Sequence, residues 1–490
     1  MVQQHTRRTF VKSVGVAGAA VAAMPKLARA QSANSRVNVA FVATGGKGDR
    51  HIQATADFGH NCTAFCDIDT RLWGRPQELW PESRGYQDYR EMFEKEHRNI
   101  DAVFIATPDH HHYLSSMIAL KYDIHCFTQK PLTWSVWEAR KLAEEAASRP
   151  YLATQMGNQG HSGEGWRLVS EWVRAGLIGD VTEVHSWTNR PIWPQGLERP
   201  AGSDPVPEEM DWDKWIGPAP MRPFSLAGDP GNRYSPHPYH PFSWRGWFDF
   251  GAGALGDMAC HTMDGLFMAL DANSPDSVER VFVEGLSSEQ FPNASTIKWT
   301  FPAKGNQAAF THYWYDGTKS DGNPNKPEAP AALAEAGRNL PRTGNLFVGS
   351  KGMIIVSGDY GDSPRPFPDA LVPDAQAIPK TMRRAPEPAD YGYVEAASAG
   401  RGGRARRLGH FEDKHHLEFF LAASGDKPAG YCLSNFGFAG PMTEVIQLGN
   451  VALRVGEKLM WDAENMVVTN VARANDLIYR EPRTGWDTWL

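Results

Sequence analysis

Cysteine, surplus positive charge and long apolar runs are all scarce in this chain, and each scarcity excludes a class of protein. The five cysteines (62, 66, 126, 260 and 432) are odd in number and scattered through segments that read as strand or helix core, which excludes a disulfide framework. Fifty Lys and Arg stand against 57 Asp and Glu, for a net charge of −7, so neither nucleic acid nor an acidic membrane is implied as a partner. No apolar stretch is long enough for a stable membrane anchor. What remains is the composition of an ordinary globular protein, 41% apolar and 22% charged, with 490 residues. Because single cores stop growing near ~250–300 residues, at least two domains are expected. Tryptophan is abundant, at 17. Those after Trp187 fall in a polar, Pro/Gly-rich stretch, where they fit the wall of a sugar-sized cleft or, equally, a core.

Residues 1–30 read as a twin-arginine signal peptide: Thr6-Arg7-Arg8-Thr9-Phe10-Val11-Lys12, a short Gly/Ala-rich apolar segment, and Ala28-Arg29-Ala30 before Gln31. No cysteine follows to take a lipid. The mature protein is expected in the periplasm or another extracytoplasmic space, exported already folded.

Residues 36–44 read as a buried strand that opens into Gly45-Gly46-Lys47-Gly48 and a helix. This is a G-x-G-x-x-G phosphate loop whose first glycine is Ala43; the later glycines still allow backbone to approach a pyrophosphate. A second strand ends in Asp67, placed to accept ribose hydroxyls and repel a 2′-phosphate, so NAD is expected over NADP, with Arg71 nearby as the counter-argument. The strand at 101–106 carries Thr107 and Pro108 at its carboxyl end, where ligands sit in parallel sheets, and His110 follows. Three consecutive histidines cannot all face one ion, and no metal is expected. Lys130 lies at the next strand end beside Pro131, from which an ammonium reaches both substrate and cofactor. In Trp244–His261, an Arg between two tryptophans precedes a glycine turn, then Asp257 and His261 four residues apart on one helical face. A carboxylate beside an imidazole suits proton transfer near neutral pH.

These segments together resemble the Gfo/Idh/MocA oxidoreductases: ATGGKG, CDID, ATPDH, QKP where the family has E-K-P, and GAGALGDMACH. TQMGNQGHS (154–162), LFVGSKGMI (346–354) and LGNVALRVGEKLMWDAEN (448–465) are similar to its twin-arginine-exported branch. The resemblance implies an α/β fold with an N-terminal Rossmann domain (35–156), a C-terminal α/β domain with a large, mainly antiparallel open sheet (157–460) and a homodimer or homotetramer; the tail (461–490), with Trp486 and Trp489, is expected to dock on a neighbouring subunit. It implies a catalytic set of Lys130, Asp257 and His261, with His261 taking a hydroxyl proton, Asp257 stabilising the imidazolium and Lys130 binding the same oxygen. Asn158, Gln159, His161, Tyr239 and His240 are the further candidates at the substrate, and Trp244 and Arg245 at the cofactor. Gln129 for Glu and Ala43 for Gly are departures that bear on the lysine and the pyrophosphate.

The expected activity is oxidation of a sugar, polyol or glycoside CH–OH with tightly bound NAD. Free NAD is not expected outside the cytoplasm, so the cofactor must be reset on the enzyme. The alternatives are an NAD-dependent glycoside hydrolase or lyase working by transient oxidation and elimination, with His161 or Tyr239 as the extra base, and a non-catalytic sugar-binding protein.

Overall fold

The computed structural model describes residues 36–228, 237–272, 274–393 and 410–487. The expected signal peptide, the basic run at 401–407 and Trp489 lie outside the described residues.

The N-terminal half is a parallel sheet ordered β3-β2-β1-β4-β5-β6. Its strands are β1 (Asn38–Val42), β2 (Asn61–Cys66), β3 (Arg84–Tyr86), β4 (Ala102–Ile105), β5 (His125–Thr128) and β6 (Thr154–Met156). Helices α1 (Lys47–Asp57), α2 (Gly74–Leu79), α3 (Tyr89–Glu96), α4 (His112–Lys121) and α5 (Val136–Ala147) connect them. β1 and β4 are central and covered on both faces, so they read as unbroken apolar runs. The start of α5 is fixed by a capping box between Ser135 and Glu138.

The second half opens with α6 (Glu164–Arg174), β7 (Val181–Trp187), α7 (Trp212–Ile216), α8 (Gly253–Thr262) and α9 (Asp264–Leu270). It continues through β8 (Ser277–Glu284), β9 (Ala294–Phe301), β10 (Phe310–Gly317), α10 (Ala331–Glu335), β11 (Gly344–Gly349), β12 (Met353–Ser357), β13 (Asp362–Phe367) and α11 (Val372–Ala377). It closes with α12 (Phe411–Ala423), α13 (Phe436–Val455), β14 (Leu459–Asp462) and β15 (Val467–Val468). Among the described residues nine strands form one sheet, β13-β12-β11-β7-β10-β9-β8-β14-β15, in which only β7 and β10 pair in parallel. In β10, Phe310, His312 and Trp314 face the core while Thr311, Tyr313 and Tyr315 alternate outward.

Helix α13 ties the halves together. Glu444 takes two hydrogen bonds from Arg140 of α5, at 2.7 and 2.6 Å, and the Val445 carbonyl accepts from the Trp299 indole of β9 at 3.1 Å.

The tail expectation changes, and two stretches fold otherwise than their sequence suggests. The segment 346–356, which reads as one strand, is the hairpin β11–β12, because Ser350-Lys351-Gly352 makes a turn. The stretch from 360, which reads as irregular, contains β13 and α11. The tail docks on its own chain: buried Trp486 packs on Tyr89 and His111 with the Arg90 guanidinium 3.7 Å from its ring, so this tryptophan is not free for a neighbouring subunit.

Candidate active site

The carboxyl edge of the parallel sheet carries the phosphate loop. Ala43 adopts φ +73°, the left-handed turn a glycine makes without strain, so the substitution keeps the turn at an energetic cost. A side chain at Gly48 would force the loop to shift: a Cβ there would lie 2.2 Å from the Ala43 carbonyl oxygen. Among the described residues a Cβ on Gly46 would meet nothing within 4 Å, and Gly46, the N-cap of α1, makes no side-chain cap. That open, donor-rich helix start fits a pyrophosphate. The Lys47 side chain turns away from the loop to Glu412 of α12, at 2.6 Å, leaving its backbone as its contribution there.

At the end of β2, Asp67 is buried among neutral donors. Its Oδ2 accepts from the Thr44 N–H (2.8 Å) and hydroxyl (3.1 Å), its Oδ1 from the Asp69 N–H (3.1 Å). Burial pushes its pKa up against these bonds. Lone pairs remain for ribose hydroxyls. The Arg71 guanidinium donates two hydrogen bonds to the Asp69 carboxylate.

Lys130, Asp257 and Arg245 converge from three segments. The Lys130 ammonium lies 2.6 Å from Asp257 Oδ1 and 2.9 Å from its carbonyl oxygen, and Arg245 Nε donates to the same Oδ1 at 3.1 Å. Burial would raise the Asp257 pKa, but the two cations hold it below the usual carboxylate range. Trp244 and Phe242 each place a ring 4.2 Å from the Arg245 guanidinium, so the tryptophan supports the arginine. The carboxylate expected to stabilise the His261 imidazolium is therefore hydrogen-bonded to these cations instead.

His261, one turn along α8, is buried, and its Nδ1 has no hydrogen-bond partner among the described residues. Burial, with the Lys130 charge adding to it, holds its pKa well below the ordinary histidine value. It is a neutral base at physiological pH. Thr107 Oγ1 and Asn158 Nδ2, at the ends of β4 and β6, are likewise buried without a partner among the described residues. Asn158 Oδ1 accepts from Ser434, and Gln159 begins the turn that carries His161. His161 Nδ1 sits 2.7 Å from Asp264 Oδ1, both buried.

Several expected site residues go elsewhere. His110, placed at the cofactor, wedges its ring between the Phe250 and Trp215 carbonyls because the insertion between β7 and α8 packs onto it. Pro108 precedes it as the N-cap of the short helical turn. His111 and His112 are buried in the same way, against the carbonyls of Trp215, Pro131 and Thr107. Tyr239, expected at the substrate, is 2% exposed in the insertion's own aromatic core with Trp212, Trp247 and Phe250. His240 lies on the Asp69 side of that insertion, where it feels the Asp69 and Arg71 charges. Gln129 hydrogen-bonds His51, which bonds His416, so it faces a buried histidine chain.

The sequence reading missed Asp109, Tyr360 and Asp264. Asp109 is buried beside Lys130 and Arg245, and burial pushes its pKa up to about 8 despite them. It lies within the ATPDH segment, a signal that was present. Tyr360 places its ring 4.8 Å from that of His261 but comes from the β12–β13 hairpin, which no motif marks.

Known proteins match both halves. A model of the oxidoreductase family's NAD-binding Rossmann fold matches residues 37–155, and one of its C-terminal alpha/beta domain matches 178–300. A glycosyl hydrolase family 109 protein of Shewanella woodyi is 26% identical over 157 residues, 30% of this chain and 33% of that protein. An inositol 2-dehydrogenase/D-chiro-inositol 3-dehydrogenase of Lacticaseibacillus casei is 24% identical over 184 residues, 37% of this chain and 53% of that one. The chain thus spans a third to about half of these relatives' lengths. Among solved structures, the WlbA dehydrogenase of Bordetella pertussis in complex with NADH and UDP-GlcNAcA shares the fold at TM-score 0.55 and 13% identity, over 87% of this chain and 98% of that one. With both its Rossmann and its C-terminal domain matched, the chain belongs to the Gfo/Idh/MocA oxidoreductase family.

Proposed function

We propose that the protein oxidises a CH–OH group of a sugar, polyol or glycoside with a tightly held NAD. The observation that carries this reading is the Lys130–Asp257 pair beside a neutral His261 whose Nδ1 has no partner among the described residues, at the carboxyl edge of a dinucleotide-binding sheet. NAD, when bound, accepts the hydride from the substrate carbon. His261 takes the hydroxyl proton, and the Lys130 ammonium holds the oxygen as it becomes a carbonyl. Asp257, shared with Arg245, fixes that ammonium in place. Asp67 with neutral surroundings, and Arg71 already bound to Asp69, favour NAD over NADP.

Retention of the cofactor is supported by the insertion. Its residues 209–211 hydrogen-bond to the chain just after Asp67, through Thr70 N–H to Glu209 O at 3.0 Å and Asp211 N–H to Ile68 O at 2.9 Å, which braces the adenosine end. A bound, non-exchanging cofactor suits a protein exported folded to the periplasm, the location we infer from residues 1–30, and we read the working form as a homodimer or homotetramer.

A second reading, transient oxidation followed by loss of a glycosidic bond and return of the hydride, is favoured by the His161–Asp264 pair. Asp264 Oδ1 accepts a hydrogen bond from His161 Nδ1–H, which leaves Nε2 as a second base. The two readings separate on the protein as purified, incubated with free sugars and aryl glycosides. A stoichiometric rise at about 340 nm, reversed by a second carbonyl compound, supports the oxidoreductase. Aglycone release over many turnovers without net reduction supports the hydrolase. Neither signal with any substrate contradicts both.

A further inference from the structure

The hairpin joining β12 to β13 delivers a tyrosine to the front of His261. The Tyr360 and His261 rings meet edge to face, at 4.8 Å and 71°. Phe411, at the start of α12, backs Tyr360 at 5.6 Å. The hairpin tip is pressed onto the start of α6 through glycines. A Cβ on Gly165 would lie 1.7 Å from the Gly361 carbonyl oxygen, and one on Gly160 would lie 2.9 Å from the Tyr360 carbonyl oxygen. Gly361 itself, at φ +82°, rests on the buried Trp166 ring, where a Cβ would come within 2.6 Å. Three close backbone approaches thus hold one side chain in place. Among the described residues nothing hydrogen-bonds the Tyr360 hydroxyl, although Asp257, Arg190 and Glu412 are near enough for their charges to act on it.

We propose that Tyr360 determines which hydroxyl reacts, by donating a hydrogen bond from its phenol to a neighbouring hydroxyl of the carbohydrate held at His261. This rests on the oxidoreductase reading above. Burial and the Asp359 charge push the Tyr360 pKa up to about 12, so at neutral pH the phenol is a donor and leaves the base role to His261. A donor fixed to the scaffold beside the base orients the ring so that one carbon presents its hydrogen. A substrate without the partner hydroxyl leaves the phenol unpaired, which is how a site discriminates by hydrogen bonding.

The test pairs Tyr360→Phe with monodeoxy analogues of the accepted sugar. In the wild type, one analogue should lose about tenfold in kcat/KM relative to its parent. In Tyr360→Phe, parent and analogue should react equally, each at about the rate of the wild type on that analogue, with cofactor content and pH profile unchanged. Gly165→Ala, which displaces the hairpin with the phenol intact, should lose the same discrimination. Undiminished discrimination in Tyr360→Phe overturns the proposal and leaves the oxidoreductase reading standing. A wild type that turns over no sugar overturns that reading, and calorimetry then decides for Tyr360: parent sugar bound about tenfold more weakly by Tyr360→Phe supports the contact, and equal or absent binding by both proteins overturns it.

Discussion

The phosphate loop and the Lys130 cluster lie at the same edge of one sheet, yet they hold their carboxylates by opposite means. Asp67 is surrounded by two N–H groups and a hydroxyl, and burial raises its pKa. Asp257 is partly buried, but two cations outweigh that burial and keep it ionised. The first is a site of shape, in which neutral donors and glycines set where a dinucleotide rests. The second is a site of charge, in which each ion is tolerable only because the others are present. Damage to the loop should therefore cost cofactor, and damage to the cluster should cost both fold and chemistry.

Asp257→Ala tests the charged region most severely. It leaves the partly buried Lys130 and Arg245 without their shared partner, so urea unfolding should show a loss of about 1–3 kcal/mol, with turnover abolished. His261→Ala should lower kcat by roughly 10²–10⁴-fold while the protein keeps its NAD, since the side chain touches no part of the loop. Near-wild-type rates would refute its role. Gly48→Ala should fold yet release a much-reduced amount of dinucleotide on denaturation, because its Cβ meets the Ala43 carbonyl oxygen. Asp67→Ala should weaken or broaden cofactor choice, and unchanged NAD content would show that the ribose contact is misassigned.

Acid sharpens the comparison. His261 is held well below 6.5, and His111, His112 and His416 at about 4, in each case mainly by burial. In the unfolded chain these rings protonate near 6.5 and in the folded one they do not. Stability should therefore fall as pH drops from about 6.5 toward 4, with the melting temperature following. Lowered Asp257 acts in the same direction at lower pH, its contribution lost as pH falls below the unfolded carboxylate value. Turnover, by contrast, should show no loss near pH 6.5 from protonation of His261. Ala43→Gly gives the smallest change, a gain of about 1 kcal/mol from relief of the left-handed backbone.

What could be read from sequence follows the same division. The Rossmann half is built from contiguous strand–loop–helix units, so β1, the glycine loop and Asp67 announce themselves within about thirty residues. Lys130, Asp257 and His261 were legible because each sits in a short motif. Tyr360 was not: its position depends on a hairpin more than a hundred residues from His161 and almost a hundred from His261, held by contacts between glycines that sequence spacing does not reveal. Tyr239 and His240 misled because a polar, aromatic-rich segment looks the same whether its rings line a cleft or pack on one another, and here they pack around Arg222. His110 misled for a related reason: a histidine at a strand end suits a ligand, and equally suits two backbone carbonyls.

The most direct test of hydride transfer uses a carbohydrate deuterated at every ring carbon, added to the protein as purified, followed by denaturation and mass analysis of the released cofactor. With no second carbonyl compound present to take the deuteride away, the account predicts reduced cofactor carrying one deuterium in the wild type, and label appearing roughly 10²–10⁴-fold more slowly in His261→Ala. A wild-type protein that releases only unlabelled NAD after incubation with sugars, polyols and glycosides, or that releases no dinucleotide at all, would contradict it.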